Sequence, residues 1–110
     1  MPTSKADPNF ALAHAGLGQA YFLQYRNNGD AKLLDMAKQA TAKALQLDAN
    51  LASPYITMAR MAAMQGQTQL AMQQVQKAIA LDPHSAEAYG ALAEVYETVE
   101  FHPEPTEDEV

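Results

Sequence analysis

The sequence predicts an all-α protein built as a stack of antiparallel helix hairpins, and three observations point there. One segment recurs: LDPHSAEAYGALAEVYE at 81–97 is echoed by ADPNFALAHAGLGQAYF at 6–22 and, more loosely, by LDANLASPYITMARMAA at 47–63. The composition leans on Ala, Leu, Gln and Met, all good helix formers. Within each copy the apolar residues return at three- and four-residue intervals, the period of a helix face.

The copies align on small residues. Asp7, Asp48 and Asp82 open the turns, and Gly18, Ala59 and Ala93 follow at a fixed distance from them, each preceded by an apolar residue (Leu17, Met58, Leu92). The spacing is 34 between Asp48 and Asp82 and 41 between Asp7 and Asp48. A period in this range is the mark of stacked supersecondary units. Each unit holds two helices, one before a glycine-containing turn and one after it.

In the first unit, about 9–50, Asn27-Asn28-Gly29 reads as the turn and Asp30 as the cap of the second helix. This unit is seven residues longer than the next. Seven residues are about two turns of helix, so one extra turn on each arm keeps both helices in phase with the core. Leu33, Leu34 and Met36 set against Phe22, Leu23 and Tyr25 would supply the added apolar contact. In the second unit, about 52–84, Ser53 is expected to cap a helix that carries Pro54 in its first turn and stops near Gln65 at Gly66. Thr68 is expected to cap the next helix, which runs to Leu81 before Asp82-Pro83, with Ala71, Val75, Ala78 and Ile79 as its apolar stripe. A half unit, 86–99, supplies one more helix from about Ser85. His102-Pro103-Glu104-Pro105 then forbids continuation. The helical domain is thus placed at 1–99 and an acidic, solvated tail at 100–110. Lys5-Ala6-Asp7-Pro8-Asn9 looks like the end of an earlier unit.

These residues resemble the tetratricopeptide repeat, a 34-residue helix–turn–helix unit. Its first-helix pattern is matched by Tyr89, Leu92-Ala93 and Tyr96, and by His14, Leu17-Gly18 and Tyr21 with His in the aromatic position. Its second-helix pattern is matched by Ala71, Val75, Ala78 and Leu81-Asp82-Pro83, and less fully by Ala37, Thr41, Ala44 and Leu47-Asp48-Ala49. The resemblance covers about residues 6–98. It implies a right-handed superhelical solenoid of about two and a half repeats. An elongated first hairpin also occurs in bacterial proteins of the family, some attached to kinases or cyclases. That implies, as an alternative, a fragment of a longer array in a signalling protein.

The spacing also has a direct physical sense. Gly18, Ala59 and Ala93 would let paired helices approach closely, as would Ala37, Ala44, Ala71 and Ala78 from the partner helices. Tyr21, Tyr55, Tyr89 and Tyr96 are expected to fill gaps between hairpins, with His14 in a core packing position. Met58, Met61 and Met72 are read as core and Met64 as groove-facing.

Charge narrows the partners. The formal net charge is −6, yet residues 100–110 hold five acids and no base, leaving eight acids against seven bases elsewhere. A near-neutral body without a basic stripe argues against nucleic acid, whose binding rests on phosphate neutralisation. No apolar run is long enough to span a membrane, and the chain is read as soluble, with the cytoplasm slightly favoured. There is no cysteine. His14, His84 and His102 have no metal-ligand spacing, no phosphate-loop pattern exists, and Ser4, Ser53 and Ser85 read as tail or caps. Glu94, Glu97 and Glu100 read as a solvated helix face. The chain is therefore expected to be no enzyme and to need no cofactor or metal.

What remains is a protein-interaction scaffold. The resemblance implies a concave groove lined by the first helices, holding a peptide or a partner's helix. By position, the first unit would present Leu12, Ala15, Gln19, Phe22 and Leu23. The second would present Ile56, Thr57, Arg60, Ala63 and Met64, and the third Glu87, Ala91, Glu94 and Thr98. One branch of the family clamps the C-terminal carboxylate of chaperones with cations. The corresponding residues here, Ala15, Gln19, Thr57, Glu87 and Ala91, include no cation, so that ligand is rejected. The other function class is assembly, as a homodimer or by helix swapping through exposed repeat ends.

Overall fold

The computed structural model describes residues 8–101, with side-chain surroundings for 10–98. Five helices follow in order: α1 (Pro8–Asn28), α2 (Ala31–Leu47), α3 (Ala52–Met64), α4 (Thr68–Leu81) and α5 (Ala86–Phe101). The described residues are all-helical, without strands. α1 pairs with α2 and α3 with α4; α3 packs on both helices of the first hairpin, and α5 on both helices of the second.

The turns are specified by short-range chemistry. Gly29 and Gly66 sit at φ +73° and +78°, in the left-handed region where a side chain is strained. Gly66 donates to the Ala63 carbonyl at 3.1 Å and Gln67 to the Ala62 carbonyl at 2.9 Å, which closes the end of α3 as a Schellman motif. Gly29 donates to the Tyr25 carbonyl at 2.7 Å. Asp30 caps α2 by accepting from the Lys32 amide at 3.0 Å. Asp48 and Asp82 each end a helix and then hold the following turn, accepting from the amides of Asn50 at 2.9 Å and His84 at 3.2 Å. The extra length of the first unit is helix: α1 has 21 residues and α2 has 17, against 13 and 14 in the second hairpin.

Two expected caps are displaced. Leu51, not Ser53, precedes α3, and Gln67, not Thr68, precedes α4; neither makes a side-chain capping bond. Ser53 lies inside the first turn, where its carbonyl accepts from Thr57 Oγ1 at 3.4 Å. Pro54 is still within the turn whose amides lack intrahelical partners, so α3 starts two residues earlier without penalty. Ser85 does cap, accepting from the Ala88 amide at 3.0 Å.

The core is built on small side chains. Ala37, Ala44, Ala59, Ala71, Val75 and Ala78 are fully buried, and Ile79 and Met72 pack partly covered against them. A Cβ on Gly18 would overlap Thr41 Oγ1 and stand 3.2 Å from the Ala37 carbonyl oxygen, so α1 and α2 touch almost backbone to backbone there. Phe22, Ala37 and Met61 form a cluster joined by Tyr21, Tyr25, Leu34 and Met58; Leu23 and Met36 stay largely exposed. Tyr55 is buried and its hydroxyl donates to the Ala49 carbonyl at 3.3 Å. Tyr89 and Tyr96, expected to be gap fillers, are 47% and 54% exposed, and Ala93 is exposed too, because no described helix pairs with α5 on that side. His14 is half-buried, not core, with its ring edge-on to Phe10 at 5.0 Å. Glu100 and Phe101, assigned from sequence to the tail, continue α5; the N-terminal segment through Asp7 and the tail from His102 lie outside the described residues.

Candidate peptide-binding cleft

The first helices of successive hairpins, α1 and α3, and then α5, lie side by side along one face, and polar side chains link all three. Gln19 Nε2 on α1 donates to Glu87 Oε2 on α5 at 3.2 Å. Arg60 on α3 reaches the same carboxylate with Nη1 at 3.6 Å and Glu94 Oε1 with Nε at 3.3 Å. The second contact is an ion pair rather than a hydrogen bond, since Nε is buried and has no aligned acceptor. Arg60 is 19% exposed while its two carboxylates are about two-fifths exposed, so each pair contributes about 0.2–1 kcal/mol and serves mainly to set the spacing of α3 and α5.

Beside this bridge opens a cleft of about 380 Å³, lined by Phe22 and Arg26 from α1, Arg60, Ala63 and Met64 from α3, and Glu94, Glu97 and Thr98 from α5. Its floor is apolar. Phe22 is itself buried, and the Arg26 guanidinium lies over its ring at 5.8 Å from the centroid. Met64 is half exposed at the rim. Of the described ion pairs, both involve Arg60, so Arg26 and Glu97 face the cleft with opposite charges and no ionic partner among the described residues.

Six of the residues assigned to the groove from sequence line this cleft: Phe22, Arg60, Ala63, Met64, Glu94 and Thr98. Gln19 and Glu87 lie next to it, joined by their hydrogen bond. Ala15, Ile56, Thr57 and Ala91 are buried between helices, where they fix the spacing and offer no side chain to a ligand. Leu12 and Leu23 are about half exposed and lie off the cleft. Arg26 and Glu97 were not among the assigned residues, although the sequence holds their signal: they follow Phe22 by four and Glu94 by three, the spacing of one helix face. Among the described residues no three His, Asp or Glu side chains gather in a metal-binding group, and no helix is long and apolar enough to cross a membrane.

Comparison with models of known protein families, with curated proteins and with solved structures returned no match.

Proposed function

We propose that this chain is a non-enzymatic interaction scaffold of the tetratricopeptide kind that receives a peptide or a partner's helix in the cleft between α1, α3 and α5. The observation that carries the reading is that three separate units contribute to one open cleft, with an apolar floor and, at its edges, charges of both signs that have no ionic partner among the described residues. The internal repeat, the hairpin pairing and the small-residue contacts support the family resemblance that the reading draws on. An apolar anchor side chain fits against Ala63, Met64 and Phe22. A basic neighbour fits Glu97 and Glu94. A terminal carboxylate does not fit the Arg60 end, because that guanidinium is already held between Glu87 and Glu94.

The test is selection of binding peptides from a random displayed library, followed by cleft variants. Met64→Asp and Glu97→Lys, both at exposed positions, are expected to weaken the selected peptides about tenfold or more, about 1.4 kcal/mol, with unchanged helix content and melting temperature. Selected peptides that bind these variants as tightly as wild type, or a failure to select any, would refute the assignment.

A further inference from the structure

Charge inside the cleft is balanced in number and separated in space. Of the charged groups that line it, the two guanidiniums come from α1 and α3 (Arg26, Arg60) and the two carboxylates from α5 (Glu94, Glu97). Their formal charges cancel, so a segment of one sign gains no net attraction from the cleft as a whole. The field nevertheless runs across it, positive on the α1 flank and negative on the α5 flank.

Internal bonds then reduce the polar groups left for a ligand. Arg60 is held by Glu87 and Glu94 at 3.6 and 3.3 Å, and Gln19 donates to Glu87. Thr98 spends its hydroxyl proton inside α5, donating to the Glu94 carbonyl at 3.1 Å. Arg26 and Glu97 are what remain. Arg26 is exposed in the last turn of α1, and its guanidinium is kept at the cleft wall by the Phe22 ring beneath it. Glu97 is exposed on α5. Both line the same cleft, yet they form no ion pair with each other. Between their flanks lies the Ala63–Met64 end of α3, the helix on which α1 and α5 each pack.

We propose that the cleft selects a zwitterionic peptide segment: an acidic residue set against Arg26, an apolar residue over Ala63 and Met64, and a basic residue set against Glu97. This rests on the cleft being the binding site and specifies what that site accepts. Charge complementarity fixes the order, because the same three side chains laid the other way round place like charges together on both flanks. The chain's own segment 102–110 carries Glu104, Glu107, Asp108 and Glu109 and no lysine or arginine, so it matches the Arg26 flank alone. A purely basic segment matches the Glu97 flank alone.

The experiment starts from peptides selected on the full 110-residue chain from a random displayed library, keeping those that Met64→Asp no longer binds. The retained peptides are expected to carry both an acid and a base and to be close to neutral overall. One of them, made synthetically, is titrated against wild type, Arg26→Glu and Glu97→Lys, in its original form and with its acid changed to lysine or its base changed to glutamate. Each protein variant is expected to bind the original peptide about tenfold more weakly. The acid-to-lysine peptide should recover affinity for Arg26→Glu and not for Glu97→Lys, and the base-to-glutamate peptide the reverse. Retained peptides of a single sign or without charge, recovery with the partners crossed, or no recovery would overturn the charge order while leaving the cleft as the binding site. A library that yields no cleft-dependent peptide would remove both.

Discussion

Gly18 and Thr41 show how one atom sets the first hairpin. Thr41 is 1% exposed, and its Oγ1 is buried without a hydrogen-bond partner. A buried, unsatisfied hydroxyl costs about 1–3 kcal/mol, so this site is one where stability is given up for the close approach of α1 and α2. Gly18→Ala would gain about 1 kcal/mol of helix propensity and lose about 1–3 kcal/mol to overpacking, because the new Cβ meets the threonine oxygen and also lies 3.1 Å from the Thr41 amide nitrogen. The steric term is larger because backbone cannot swing aside as a side chain tip can. A net loss of up to about 2 kcal/mol is expected, a fall of up to roughly 16 °C in melting temperature. Thr41→Ala in the same background removes the worst overlap but not the backbone ones. The pair is therefore expected to be less destabilised than the sum of the singles by at least about 0.5 kcal/mol in urea denaturation. Simple additivity would show that the two residues do not meet.

At the scale of elements, the punctuation is where sequence and structure agree and also where they part. Gly29 and Gly66 were legible as stops because only glycine occupies φ near +75° without strain. Replacing either by Ala is expected to cost about 1–2 kcal/mol, measured by thermal melting, whereas Gly16→Ala, on an exposed helical position with open space around its Cα, should stabilise by about 0.5–1 kcal/mol. A Gly66→Ala protein as stable as wild type would remove the argument for that cap. The starts of α3 and α4 were read one or two residues late. Capping preference marks Ser53 and Thr68, but α3 begins at Ala52, which packs against the cluster around Tyr55, α4 begins at Thr68 itself, and the orphan amides of each first turn are left without a side-chain cap. The apolar stripe of α4 and the added turns of the first hairpin were legible because periodicity averages over many residues. The burial of single members such as Leu23, Met36 and Tyr96 was not, because it depends on which neighbouring element covers them. The cleft follows the same division. Its backbone positions came from the repeat, while Arg26 and Glu97 entered through side-chain reach, and Ala15, Ile56, Thr57 and Ala91 lost their exposure to helix packing.

Across the whole molecule, the connections between units decide how a local fault spreads. The first hairpin meets the rest through α3 and through the Gln19–Glu87 hydrogen bond, whereas α3, α4 and α5 all share the cluster around Tyr55, Ile56, Val75 and Ala78. On the proposed repeat architecture, stability is close to a sum of unit terms and nearest-neighbour terms. Gly18→Ala acts on one unit term, and α3–α5 retain their own cluster when the first hairpin opens. Val75→Ala, at a position with 0% exposure, removes contacts from α3 and α5 at once and is expected to cost about 2 kcal/mol. Residue-resolved amide exchange distinguishes the two. Gly18→Ala should raise exchange in α1 and α2 by about tenfold, the equivalent of about 1.4 kcal/mol, with α4 and α5 changed far less. Val75→Ala should raise it by a larger factor in α3, α4 and α5 together. If Gly18→Ala raised exchange equally in all five helices, the units would be opening as one body, and the nearest-neighbour description of this fold would fail.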